Sequence, residues 1–397
     1  MWKFPWKLNE SLFFGFGLLL TGFLIEIISD VKISAPSFPN NMYLLIGFAI
    51  LLILTHIFFR KNPFVAWLSS VNCAISSIVF YTGLTLLMGL IPQVHTSNTF
   101  ILHLGLNRIT STWVYLILLI FFAISLGLVT LKRLHPINRK NIGFFFNHFG
   151  LWLTILSANL GVGDLQQLKM IVYEGQTEWK AVYDNQQVLE MPIAIKLNDF
   201  DIEEFNPKLL IYNNKTSELV SKPYLIDTVK NSFKFKDFEI KVVKFHKYSV
   251  WFADAFQAMI DEGNPPSALV EIYENNKFLK KAWISCGSFK LKEQFVSMNS
   301  EFTLVMSKPE PKRFFSDVTI YTKDGETRKE QIEVNKPIEI IGWNIYQASY
   351  DDEKGKYSNY SVFQFVKDPW LPVVYVGIFL MIIGVGFIIF RGEDLKH

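Results

Sequence analysis

Six apolar runs, at about residues 11–29, 42–59, 66–91, 113–131, 143–162 and 370–390, dominate what this chain can fold into. Each approaches or exceeds the ~20 residues an α-helix needs to cross a hydrocarbon core. Lipid leaves no partner for unpaired backbone groups, so runs of this kind become helices. The first run follows Lys3 and Lys7 but has no small-residue cleavage site, so it reads as a retained span and not a signal peptide. At 50% hydrophobic and 19% charged the chain is too apolar for an ordinary soluble protein and too polar for a bare bundle. The expectation is a multi-pass α-helical membrane protein of six spans with a large external domain.

The short loops set a predicted orientation. "MWKFPWK", "FFRKNP", "LKRLHPINRK" and "FRGEDLKH" are basic and belong on the cytoplasmic side, whereas "SDVKISAPSFPNN" and "PQVHTSNTFILHLGLNRITST" then fall outside. Six crossings satisfy all of these at once and place both termini in the cytoplasm. The predicted division is an N-terminal bundle over 1–163, an external domain over 164–369, and a last span with a short tail over 370–397. Within the external block "ALVEIYENNKFLKKAWISCGSF", "EFTLVMS" and "DVTIYTKDGETRKEQIEV" alternate in the manner of strands, with Asp324-Gly325 as a hairpin turn. A mostly-β, sandwich-like domain between spans five and six follows.

Several function classes drop out. No Walker loop, GxGxxG, HExxH or GxSxG occurs. Basic residues are scattered without a tract, which excludes a nucleic-acid partner. The two cysteines, Cys73 and Cys286, form no CxxC or CxxCH, so a thioredoxin-like site, a zinc ribbon and haem attached covalently to this chain are excluded.

The informative residue is His148, beside Asn147 in the fifth run. Polar or ligating side chains inside spans are costly and mark cavities, partners or cofactors. His148 lies five or six residues into that span, roughly 8 Å deep at 1.5 Å per residue. A neutral imidazole there suits haem iron as an axial ligand. Phe144, Phe145, Phe146 and Trp152 stand on the same helix and would line a flat apolar macrocycle. The plain alternative is a histidine hydrogen-bonded to its surroundings, with the aromatics as filler. His56, near the cytoplasmic end of span two, is either a second haem ligand or a side chain reaching for the interface beside Arg60. His95 and His103 read as solvated loop residues, and Glu26 as interfacial.

The fifth span, "NHFGLWLTILSANLGVGDLQQLKM", and the stretch "VNKPIEIIGWNIYQASYDDEKGKYSNYSVFQFVKDPWLPVVYVGIFLMIIG" resemble the ResB (CcsB) family of System II cytochrome c biogenesis membrane proteins. The family's H-[LF]-G-L motif matches His148, Gly150 and Leu151. Its N-x-P…G…YQ segment matches Asn335, Pro337, Gly342, Tyr346 and Gln347, and its D-P-x-x-P…G span matches Asp368, Pro369, Pro372 and Gly377. "ISCGSF" and "MSKPEPKRFFSDVTIYT" resemble the branch associated with Bacteroidetes-type bacteria. The resemblance covers about 140–390, and the family pattern has fewer spans before its external domain.

The resemblance implies a subunit of a haem–cytochrome c ligating complex in the bacterial cytoplasmic membrane, not catalytic alone. With a ResC/CcsA-type partner it would carry haem b, bound non-covalently, across the bilayer and present it to the CxxCH motif of apocytochrome c. It also implies that His148 is an axial ligand paired with a histidine of the partner, which in the family holds the tryptophan-rich haem-binding segment. None of the ten Trp here forms such a run. Two readings from other classes stand beside it: a b-type haem electron-transfer protein ligated by His56 and His148, and a membrane-anchored binding module without haem. Cys286 is either a buried structural residue or a thiol for handling the cytochrome's cysteines.

Overall fold

The computed structural model describes residues 3–29, 31–135, 141–226 and 232–390. Arg139, Lys140, His397 and the rest of the C-terminal tail, on which part of the orientation argument leans, lie outside the described residues. The chain divides into a helical unit, Met1–Leu165 with Asp368–His397, and a β unit, Gln166–Lys367.

The helical unit contains α1 (Leu8–Ile28), α2 (Asn40–Phe59), α3 (Pro63–Leu68), α4 (Val71–Leu90), α5 (Thr99–His103), α6 (Trp113–Leu134), α7 (Ile142–Gly161) and α8 (Leu371–Phe390). Five of them, α1, α2, α4, α6 and α8, are long and apolar enough to cross a membrane. The expected count was six. α7 has the length, at 20 residues, but Asn147, His148 and Asn159 dilute its hydropathy. The run expected as one span over 66–91 breaks in two, because Asn62 caps α3 and Ser70 caps α4 by accepting from Phe64 N and Cys73 N.

α6 is the central helix, with Val114, Leu118, Phe121, Ala123 and Leu128 buried. Glu26, expected at the interface, is instead buried at 5% exposure. Its carboxylate pairs with Arg108 at 2.8 Å and accepts from Trp113 N at 3.0 Å, capping α6. Asp164, just past α7, gathers three donors: Phe38 N at 2.8 Å, Asn41 Nδ2 at 2.7 Å and Trp370 Nε1 at 2.7 Å. Partial burial acts to raise its pKa, but these hydrogen bonds outweigh it and hold the carboxyl below its ordinary 3.8.

The β unit has two cores. An eight-stranded antiparallel sheet runs in the order Thr327–Glu333, Pro311–Thr322, Val188–Glu204, Thr177–Val182, Gln166–Tyr173, Tyr360–Lys367, Trp343–Tyr350, Ile338–Ile340. Alternate residues turn inward, as Leu168, Met170 and Val172 do in Gln166–Tyr173, and meet Ile193, Ile195, Ile320, Phe363 and Phe365. The second core is a sandwich of two four-stranded sheets. One contains Lys208–Asn213 and Phe302–Met306; the other contains Phe238–His246, Ser267–Glu274 and Lys277–Ser285. The sandwich-like expectation therefore describes one half of the β unit.

Candidate functional site

α7 carries the candidate ligand and shows three faces. On the first, Gly143 and Gly150 admit α8 to backbone contact, and Gly161 makes room for the Trp370 side chain just before α8. A Cβ on Gly150 would stand 2.6 Å from the Gly377 carbonyl oxygen, and one on Gly384 of α8 would stand 2.4 Å from Asn147 N. Asn147 belongs to this face, its Nδ2 3.5 Å from the Met381 carbonyl oxygen.

On the second face Trp152 is buried, donates from Nε1 to Ala123 O at 3.1 Å, and stacks on Phe48 and Phe149. It borders an apolar cavity of about 280 Å³ between α2, α6 and α7, shared with Leu52, Gly127, Thr130, Phe145 and Phe149. The Thr130 hydroxyl is spent on Leu126 O at 2.7 Å, so the walls offer no free polar group there.

The third face holds His148, half-buried, with its imidazole stacked on Phe144 at 3.6 Å between centroids. Nδ1 lies 3.0 Å from the Phe144 carbonyl oxygen. A carbonyl can only accept, so Nδ1 carries the proton, and in the neutral ring Nε2 keeps its lone pair. Nε2 has no hydrogen-bond partner among the described residues. A carbonyl that holds one ring nitrogen in this way is how ligating histidines are oriented. The Arg133 guanidinium lies 4.4 Å over the Phe144 ring, completing a cation–phenyl–imidazole stack. Arg133 was not singled out from sequence; the i, i+4 spacing of Phe144 and His148 was the available signal for the stack.

The other sequence candidates lie elsewhere. Phe146 packs toward Phe387 of α8, so Phe144, Phe145, Phe146 and Trp152 point in three directions and do not surround the imidazole. His56 lines a separate cavity between α2, α3 and α6 to which α7 contributes nothing. His103 Nδ1 rests 2.8 Å from Thr99 O, and both it and His95 are exposed.

In the β unit Cys286 is 6% exposed at the edge of the sandwich core, and burial pushes its thiol up to about 11. It borders a polar cavity of about 250 Å³ with Lys308, Tyr357 and the ion pair Lys356–Glu204, which closes at 2.9 Å. Burial would lower the Lys356 pKa, but the Glu204 contact outweighs it and keeps the ammonium charged.

The motif residues near the C-terminal end of the β unit have structural roles. Asn335 and Gly342 adopt positive φ, 62° and 72°, in the turns before and after Ile338–Ile340. Gln347 is buried where the register shifts, accepting from Ser316 Oγ at 2.6 Å and donating to Ser349 O at 3.0 Å. Asp368 caps α8 by accepting from Trp370 N and Leu371 N. The model of the ResB-like family matches residues 257–360, which contain these turns and Gln347. The chain carries a ResB-like segment. No curated protein matches it. The ResB-like segment lies wholly inside the β unit, whereas His148 lies outside it on α7.

Proposed function

We propose that this ResB-like chain is a haem-handling subunit of System II cytochrome c maturation, working with a ResC/CcsA-type membrane partner. The ResB-like family is associated with cytochrome c biogenesis, which supports the setting. The observation that carries the reading is His148: a half-buried imidazole whose Nδ1–H is held by Phe144 O and whose Nε2 has no partner among the described residues. The donor set fits a haem site that this chain completes by half. It supplies one ring nitrogen and, beside it, the Arg133 guanidinium, a charge complement for a carboxylate. His56 stands in another cavity, which supports a second ligand supplied by the partner and not by this chain. Bound haem would supply an iron centre with two axial positions.

On this reading Phe144 orients the imidazole and fixes its tautomer, while the helix–helix contact of α7 with α8 holds the ligand's height. The β unit stands on the external side, both termini on the cytoplasmic side, and apocytochrome c is met outside.

The test is the absorption spectrum of detergent-purified protein, alone and co-expressed with the partner. Haem is expected with the partner, is lost in His148→Ala, and returns on adding imidazole. Full haem occupancy together with full cytochrome c maturation in His148→Ala overturns the ligand role. Haem held tightly by the lone chain points to electron transfer instead.

A further inference from the structure

The cavity bordered by His56 is the strongest unassigned feature. It measures about 310 Å³ and is bounded by α2, α3 and α6. Five basic side chains line it: His56, Arg60, Lys61, Lys132 and His135. Among the described residues no carboxylate lines it. Among the described residues Arg60 and Lys61 have no ion pair and Lys132 Nζ has only the Ser69 carbonyl oxygen, at 3.2 Å. The Arg60, Lys61 and Lys132 charges converge without a counter-charge among the described residues and repel one another, and a bound oxyanion offsets that repulsion.

We infer that this cavity binds the phosphate headgroup of an anionic phospholipid. Val65, Ala66 and Leu128 give it apolar walls between the cations, which suits an ester-linked headgroup better than a fully hydrated ion. It lies at the basic ends of α2 and α6, two helices with the length and hydropathy of spans. Immediately before Arg60, α2 exposes Ile57 at 58%, Phe58 at 73% and Phe59 at 57%, a surface for the acyl chains of the same lipid. Basic pockets between helices on the side of positive loops are the usual seats of anionic headgroups. The inference is independent of the haem reading and gives His56 a role within an anion site.

Native mass spectrometry of the full chain in detergent tests it, with dioleoyl phosphatidylglycerol and phosphatidylcholine offered to wild type and to Arg60→Gln/Lys132→Gln. Two basic contacts at the membrane surface predict roughly tenfold or greater preference for phosphatidylglycerol, falling to about twofold in the variant. Equal retention of the two lipids by wild type overturns the inference, as does an unchanged preference in the variant. Displacement of phosphatidylglycerol by sub-millimolar inorganic phosphate also overturns it, by showing a site for the free ion. If the double variant does not elute as folded protein, Lys61→Gln alone, at an exposed position, is used and must weaken the preference. Stoichiometric haem displacing the lipid from wild type and from His148→Ala alike would reassign the cavity to haem.

Discussion

Cys286 shows how far a residue's chemistry is set by its place in the core. The strand just before it, Lys277–Ser285, delivers it to the edge of the sandwich core with Leu304, Val296 and Ile284, and burial pushes the thiol up to about 11. At neutral pH that leaves roughly a hundredfold less thiolate than a cysteine at its ordinary pKa of 9.0. Maleimide labelling of Cys286 in the folded chain should therefore be at least tenfold slower than in denaturant, rising with pH until about 11. Fast labelling near pH 7 would restore a thiol-handling role. The linkage has a sign: between about 9 and 11 the unfolded thiol has lost its proton and the folded one has not, so stability falls as pH rises through that window. Glu26 illustrates what sequence could not convey at this scale. Its position near a span end suggested an interface, because its partner Arg108 lies in a distant loop and only the fold brings them to 2.8 Å.

At the scale of elements, α7 and α8 stand on small residues. Gly150 and Gly377 face each other so closely that a Cβ on either meets the opposite backbone. Gly150→Val should cost about 1–3 kcal/mol, the range for overpacking a tight contact. On the proposed haem reading it should also lower haem retention, because α7 carrying His148 packs against α8 here. Thermal unfolding followed by tryptophan fluorescence measures the first, and a variant as stable as wild type would show that the helices can separate without loss. The spans themselves were legible, since hydropathy placed α2, α6 and α8 within a few residues at most ends. The break between α3 and α4 was missed although Asn62, Pro63 and Ser70 announce it, because an apolar run hides capping residues. α7 was legible as a helix and stood out as a candidate site for the same reason that it falls short as a span: Asn147 and His148 occupy positions that hydropathy wants apolar. The stack of Arg133 on Phe144 was not legible, because nothing in periodicity tells which residues of two helices meet.

At the scale of the whole molecule, the β unit is closed by its own ends. Gln166–Tyr173 pairs antiparallel with Tyr360–Lys367 in unbroken register, from Gln166 opposite Lys367 to Tyr173 opposite Tyr360. The first and last residues of a segment of 202 residues thus sit side by side, which lets it be inserted between two neighbouring helices without parting them. Alternation in the sequence revealed the strands and their inward faces, but not that they divide between a sandwich and a separate eight-stranded sheet. That division depends on strand order, with Val188–Glu204 beside Pro311–Thr322, more than a hundred residues away. Both hydrophobic cores, one around Phe363 and Phe365 and one around Ile240 and Leu304, are built from this segment alone. A fragment of residues 166–367 should therefore fold without the helices, giving a β-type circular dichroism spectrum and a cooperative transition. Deleting Tyr360–Lys367 as well should abolish the transition, because it removes Phe363 and Phe365 and leaves Gln166–Tyr173 without its neighbour on one edge. If the intact fragment has no cooperative transition, its fold depends on the helical unit. Then the two cores are not self-sufficient, whatever their burial.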